Sequence, residues 1–222
     1  MTLVYSALTA LGVAFSGVAG AQATVDEGSF TITRGSERIG REDFVIRRNA
    51  DVLVASATVT INDHRLSPAL QTNAQGAPMR YQVEVKTGNE VQERLSGQVG
   101  RGRFSARVKT PRGESAKEYV VSDGALVLDD EVFHQYYFLA RGSQSGSVPV
   151  VIPRRNVQIS MRVESRGEER VTIGGTAIAA RHLVLTEPDG GIRHVWVDGE
   201  GRVLKVTLEE RGITALRDEP PR

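Results

Sequence analysis

Cysteine is absent from this chain of 222 residues. Its absence excludes disulfide bonds, thiolate zinc sites and cysteine nucleophiles. The chain also lacks an excess of charge of either sign, because 28 Lys and Arg residues are balanced by 27 Asp and Glu residues, which argues against a nucleic-acid-binding protein. Aromatic residues make up only 5% of the chain, whereas its 23 glycines indicate many tight turns. The remaining composition is that of a globular protein with a buried core.

Sequence motifs that carry known chemistry are also missing. The chain contains no phosphate-binding loop, no Gly-x-Ser-x-Gly elbow and no His-Glu-x-x-His motif. We therefore expect a non-enzymatic protein that uses no cofactor and no metal. A hydrolase that acts on a cell-envelope substrate is a distant alternative.

The first 23 residues differ in kind from the rest. No charged side chain occurs from Thr2 to Ala23, the stretch is rich in apolar residues, and it ends in the small residues Ala19-Gly20-Ala21-Gln22-Ala23. This pattern predicts a signal peptide over residues 1–23 and a periplasmic or secreted protein with no membrane span in its mature chain. An uncleaved N-terminal membrane anchor is the alternative, since the run approaches spanning length.

Short alternating runs bounded by turn residues fill most of the remaining sequence. Met79–Lys86 alternates apolar and polar side chains, and three short β-branched or aromatic runs follow one another between residues 178 and 208. The pattern predicts a mainly all-β fold: one large curved antiparallel sheet, or half-open β-barrel, in a single domain over residues 24–210. Pro68 argues against a central strand in its vicinity. The charged, proline-containing stretch 211–222 is expected to be a disordered tail.

One stretch departs from this rhythm. Apolar residues recur at helical spacing from Leu126 to Ala140, with acids at 129–131 and Arg141-Gly142 at the end. Acids at the start and a cation with a glycine at the end are typical of helix termini. We expect a helix over about residues 129–141 that covers the concave face of the sheet.

Three stretches carry a resemblance to a known group of proteins. They are the opening hairpin Phe30–Ile46 with Gly40 inside its second strand, the turn Gly174-Gly175 before Ala179-Ala180-Arg181, and the hairpin motif Trp196-Val197-Asp198-x-x-Gly201-x-Val203. The sequence resembles a family of uncharacterised exported bacterial β proteins, classed as a domain of unknown function. The resemblance implies an open half-barrel like that of periplasmic lipoprotein carriers, and it implies no catalytic residues.

A helix lying against a curved sheet leaves either a filled core or an apolar cavity, and small ligands bind in the mouths of such sheets. The expected function is therefore to bind or escort an apolar ligand, a lipid or a lipoprotein-like segment. The alternative is a structural envelope protein that docks a partner protein through an exposed edge strand, Val148–Ile152. The candidate ligand-binding residues are Phe133, Tyr136, Tyr137, Trp196, His194 and Arg154.

Two further groups of residues have a chemical and a structural interpretation. Asp129, Asp130 and His134 form either an acid–base group or helix-capping acids with a helical pair, because His134 follows Asp130 by one turn. His182 and His194 are expected on neighbouring strands, either as half-buried sheet residues or as two ligands of a metal site that lacks a third.

Overall fold

The computed structural model describes residues 22–121, 124–142 and 145–222. They form one sheet of 15 strands. The strands are β1 (Ala23–Arg34), β2 (Glu37–Asn49), β3 (Val52–Ile61), β4 (His64–Asn73), β5 (Pro78–Thr87), β6 (Glu90–Gly100), β7 (Arg103–Thr110), β8 (Gly113–Val120), β9 (Leu126–Val127), β10 (Gly146–Ile152), β11 (Val157–Ile173), β12 (Thr176–Thr186), β13 (Ile192–Val197), β14 (Val203–Leu208) and β15 (Ile213–Arg217). The helix α1 spans Tyr136–Arg141, and two 3₁₀ turns span Pro153–Arg155 and Glu209–Arg211.

Nearly all strands pair with their neighbours in sequence, so the sheet is a long antiparallel meander. The order is β8-β7-β6-β5-β4-β3-β2-β1-β15-β14-β13-β12-β11-β10-β9, and the two end strands do not pair with each other. The pair β9–β10 is parallel. The predicted large, unclosed antiparallel sheet with one helix is therefore confirmed.

The edge of the sheet is not where the sequence placed it. Val148–Ile152 lies in β10, which pairs with β11 along its length and with β9 through Val150 and Val151. The side chains of Val148, Val150, Val151 and Ile152 are buried. The prediction of an exposed docking strand here is wrong, because β9 pairs with the outer side of this strand at Val150 and Val151 and its apolar side chains are buried. Instead, β8 forms a long edge of the sheet.

The helix is shorter than predicted. It starts at Tyr136 rather than at Asp129, and residues 129–135 form turns. The acids at 129–131 do not cap a helix, because their carboxylates are engaged by arginines from other parts of the chain. The prediction of a helical turn over these residues is wrong, and tertiary ion pairs are the reason.

The C-terminal stretch is ordered, contrary to the prediction of a disordered tail over residues 211–222. Within it, β15 pairs with β1 on one side and with β14 on the other. Asp218 then accepts hydrogen bonds from Ser29 Oγ at 2.6 Å, Thr31 Oγ1 at 2.6 Å and Arg41 at 2.7 Å. Burial opposes ionisation of Asp218, but the two hydroxyl hydrogen bonds and Arg41 outweigh it and lower the pKa of this carboxyl.

Replacing Asp218 with asparagine should destabilise the protein by about 2 kcal/mol at neutral pH, because the hydrogen bonds to a charged acceptor are weakened. The lowered pKa means that the native state gains stability above the unfolded pKa of about 3.9 and loses it as the pH falls below that value. The difference between wild type and Asp218→Asn in denaturant unfolding should therefore shrink on acidification. Asp43→Asn is the control, since Asp43 contacts the same Arg41 but is 59% exposed. Equal effects of the two variants would contradict the prediction.

Two residues of the amino-terminal half show how backbone approaches shape the sheet. Gly40 lies so close to β3 that a Cβ atom there would be 2.1 Å from the carbonyl oxygen of Thr60. The pairing of β1 with β2 is irregular next to it. Glycine permits this close approach because it has no Cβ atom. Pro68, by contrast, lies inside the central strand β4, where the β3–β4 pairing skips Ser67 and Pro68. The expectation of no central strand around Pro68 is wrong, because the ladder has a gap at the missing donor.

Within the described residues, no helix is long and apolar enough to cross a membrane. Residues 1–21 of the predicted signal peptide lie outside the described part of the chain.

Candidate functional site

The helix α1 fills the concave side of the sheet with its side chains. Tyr136, Tyr137, Phe138 and Leu139 are each at most 2% exposed and belong to the main core. The hydroxyl of Tyr136 accepts a hydrogen bond from Arg193 at 2.9 Å. The helix is thus part of the core, and both apolar packing and a buried hydrogen bond hold it there.

A network of buried charges fixes the loop that precedes the helix. Arg193 of β13 donates to Asp130 at 2.8 Å and to Glu187 at 2.9 Å, and all three residues are less than 9% exposed. Arg211 reaches the other oxygen of Asp130 at 2.6 Å, and Arg155 binds Glu187 at 2.8 Å. Burying an unpaired charge costs much free energy, so these ion pairs must stay formed. The network therefore fixes the position of the loop relative to β13 and its neighbours.

Asp129 and Arg154 form a second charged group beside the first. Arg154 donates to Asp129 at 3.0 Å and to Glu131 at 2.8 Å. Burial raises the pKa of Asp129 in spite of the attraction of Arg154. Burial alone would lower the pKa of Arg154, but the carboxylates of Asp129 and Glu131 raise it above its usual value. Tyr81 of β5 also donates its hydroxyl to Asp129 at 3.0 Å.

His134 pairs with a residue that the sequence did not single out. Its Nδ1 contacts the carboxylate of Glu42, which also accepts the backbone N–H groups of Phe133 at 2.7 Å and of His134 at 3.1 Å. Both side chains are fully buried, and Nε2 of His134 has no hydrogen-bond partner among the described residues. Neither the acid–base group nor the helical pair predicted for Asp129, Asp130 and His134 forms, because Asp130 binds Arg193 instead.

A pocket of about 300 Å³ opens beside the second half of α1. Its other walls are the turn between β4 and β5, the segment leading into β9, and the start of β10. The apolar residues that line it are Gly76, Ala77, Ala125, Leu126, Phe138, Leu139, Val148 and Pro149. Its volume is at the lower limit of about 300–1,000 Å³ for small-molecule sites.

The structure separates the six residues predicted to bind a ligand. Phe133, Tyr136 and Tyr137 are buried under the sheet and do not line this pocket. Arg154 is engaged with two carboxylates. Phe138 and Leu139, the next residues of the same apolar run, line the pocket instead.

Trp196 and His194 lie on the opposite face of the sheet from α1. Their neighbours along β13, Val195 and Val197, belong to the main core, and side chains alternate between faces along a strand. Trp196 packs in a separate cluster with Val171 and other residues of the outer face. The prediction that Trp196 and His194 line the concavity is therefore wrong.

His182 and His194 do face each other on neighbouring strands, as the sequence predicted. The described residues hold no group of three or more His, Asp and Glu side chains arranged to bind a metal ion.

Residues 105–216, just over half of the chain, match the sequence profile of the domain of unknown function DUF6134. The chain belongs to this family. The DUF6134 region contains most of β7, strands β8 to β14, nearly all of β15, and α1 with the loop before it. Strands β1 to β6 lie before it. The predicted resemblance to a domain of unknown function is confirmed, and no curated protein matches the chain.

The fold as a whole is similar to a solved structure, a β-barrel-like protein of the domain of unknown function DUF1849 from Brucella abortus. The TM-score is 0.60 over 87% of this chain and 95% of that chain, with 9% identity. At that identity the similarity shows the fold alone, a barrel-like sheet. A duf1089 family protein from Pseudomonas aeruginosa matches 73% of this chain and 87% of its own, with a TM-score of 0.42 and 14% identity.

Proposed function

We propose that this DUF6134 protein is an exported, non-enzymatic binding protein that holds an apolar ligand, such as an acyl chain of a lipid or lipoprotein, beside α1. The observation that carries the proposal is the apolar pocket formed by Phe138 and Leu139 of the helix together with Ala125, Leu126 and Val148. Export is proposed from the uncharged, apolar sequence that precedes residue 24.

The pocket supports an acyl chain better than a polar ligand. Among the described residues, no charged side chain lines the pocket, and the two networks around Asp129 and Asp130 lie apart from it. Each methylene moved from water into such a pocket contributes about 0.8 kcal/mol. The alanine, leucine, valine and phenylalanine side chains of the lining provide this gain, and Gln75 and Ser147 are the two polar side chains that line the pocket beside them.

The non-enzymatic part of the proposal is supported by where the histidines lie. All four are among the described residues, and none lines the pocket. His134 is sealed in the core with Glu42, while His182 and His194 lie on the outer face.

Filling the pocket should abolish binding without unfolding the protein. Ala77 lines the pocket and is only half-buried, so we expect Ala77→Trp to insert its ring into the cavity. Binding of cis-parinaric acid, a fluorescent acyl-chain probe, should weaken at least tenfold, which corresponds to about 1.4 kcal/mol. Native mass spectrometry of protein purified from its own host should show a lipid mass on wild type that Ala77→Trp lacks.

Met79→Trp is the matched control, because Met79 is near Ala77 in sequence, is 43% exposed and does not line the pocket. It should bind the probe like wild type, and both variants should keep the wild-type melting temperature within a few degrees. Wild-type protein that shows no saturable binding, or equal binding by the two variants, would overturn the proposal.

A further inference from the structure

The outer face of β12 and β13 carries a cluster of stacked rings that is separate from the pocket. His182 lies on Trp196 with ring centroids 4.4 Å apart and an angle of 11° between the planes. His194 stacks on the same indole, with ring centroids 5.7 Å apart and an angle of 20° between the planes. Lys205 of β14 places its ammonium group 4.4 Å from the centre of the same ring system.

Hydrogen bonds join four titratable side chains of this cluster into a single chain. Glu169 of β11 contacts Nδ1 of His182 at 2.8 Å. Nε2 of His182 contacts Nδ1 of His194 at 2.8 Å, and Nε2 of His194 contacts Glu209 at 2.6 Å. Glu169 also accepts the indole N–H of Trp196 at 2.7 Å. The chain Glu169–His182–His194–Glu209 thus spans β11, β12, β13 and the 3₁₀ turn after β14.

With both carboxylates ionised, the hydrogen-bond chemistry of the ring nitrogens sets the number of protons that the cluster holds. An ionised carboxylate only accepts hydrogen bonds, so the ring nitrogens that face Glu169 and Glu209 must each carry a proton. The two remaining nitrogens, Nε2 of His182 and Nδ1 of His194, then face each other. Two bare lone pairs 2.8 Å apart repel, and two N–H groups repel as well, so this contact needs one proton between them. Three protons on four ring nitrogens make one imidazolium.

We propose that this outer-face cluster is a proton-binding latch: one proton shared between His182 and His194 fastens β11 and the Glu209 turn to the sheet. The cluster then has no net charge, because the imidazolium and the ammonium group of Lys205 balance the carboxylates of Glu169 and Glu209. Glu169 is suited to this role, since hydrogen bonds from Trp196 and His182 lower the pKa of its carboxyl.

The latch lies next to a small apolar cluster on the same face of the sheet and keeps β11 packed on it. Beyond Glu169, β11 carries Val171 and Ile173, which pack on Trp196 and on Leu204 of β14. Loss of the shared proton at higher pH brings two lone pairs together, and gain of a second proton at lower pH brings two N–H groups together. Either change breaks a link of the chain, so Trp196 is best shielded in a middle range of pH.

Trp196 is the only tryptophan of the chain, so its fluorescence reports on the latch directly. Acrylamide quenching of wild type, followed from about pH 5 to 9 where imidazole titrates, should pass through a minimum and at least double on both sides. His194→Gln cannot share the proton and should be quenched strongly with little dependence on pH. His64→Gln should behave like wild type, because the His64 side chain is 52% exposed and its contacts in the described part of the chain are with Thr87 and Asp63.

A second measurement keeps the inference testable should His194→Gln fail to fold. Nitrogen-15 NMR of wild-type histidine side chains at the pH of minimum quenching should show three ring N–H protons on His182 and His194 together. Two ring protons, with both rings neutral, would overturn the latch. So would a quenching minimum that persists unchanged in folded His194→Gln.

Discussion

Replacing Arg193 with methionine is expected to lower the free energy of unfolding by about 4 kcal/mol, the range for breaking a buried ion pair from one side. The side chain of Arg193 is 5% exposed, and those of its partners Asp130 and Glu187 are 8% and 7% exposed. Methionine fills much of the volume but leaves both carboxylates without their central cation. The hydroxyl of Tyr136 also loses its donor, so the loop before α1 and the helix itself should loosen together.

The control for this change is Arg211→Met. Arg211 binds the same Asp130 at 2.6 Å, but its side chain is 43% exposed, and exposed ion pairs contribute about 0–1 kcal/mol. Denaturant unfolding of the three proteins measures the difference. Similar losses in both variants would mean that burial does not set the strength of this network.

Replacing Gly40 with alanine should destabilise the sheet by about 3 kcal/mol, the upper part of the range for overpacking a well-filled site. The added Cβ atom would stand 2.1 Å from the carbonyl oxygen of Thr60 and 3.1 Å from Ile61. A backbone oxygen held in a strand ladder cannot turn aside as a side chain does, so β2 and β3 must separate locally.

Gly100→Ala is the matched control for Gly40→Ala. Gly100 ends β6, no atom lies within 4 Å of where its Cβ would stand, and its φ is not positive. Its replacement should change the free energy of unfolding by no more than about 0.5 kcal/mol. Thermal unfolding followed by circular dichroism compares the two variants, and a Gly40→Ala protein as stable as Gly100→Ala would refute the close approach.

The meander of the sheet could be predicted from the sequence because its determinants are local. Alternation such as that of Met79–Lys86 assigns side chains to two faces, and turn residues at short intervals leave little room for anything but hairpins. The sequence also predicted that His182 and His194 lie on neighbouring strands, because only one short turn separates the two strands.

The errors share a different physical cause, which is that distant parts of the chain compete for the same residues. The acids at 129–131 carry the local pattern of a helix start, but buried Asp130 and Asp129 pair with Arg193 and Arg154 from other parts of the chain. The more exposed Arg211 also binds Asp130. The stretch after Arg211 has the composition of a loose tail, yet β15 completes the ladder between β1 and β14.

Sequence alone therefore determined the strand pattern, the resemblance to a domain of unknown function, and the exclusion of cysteine chemistry. Tertiary structure decided where the helix begins, that Val148–Ile152 lies inside the sheet, and that Trp196 turns away from the pocket. Periodicity is set by each residue's nearest neighbours in the chain. The face that a strand turns to the core depends on bulges and on contacts more than a hundred residues apart, such as that of Ser29 with Asp218.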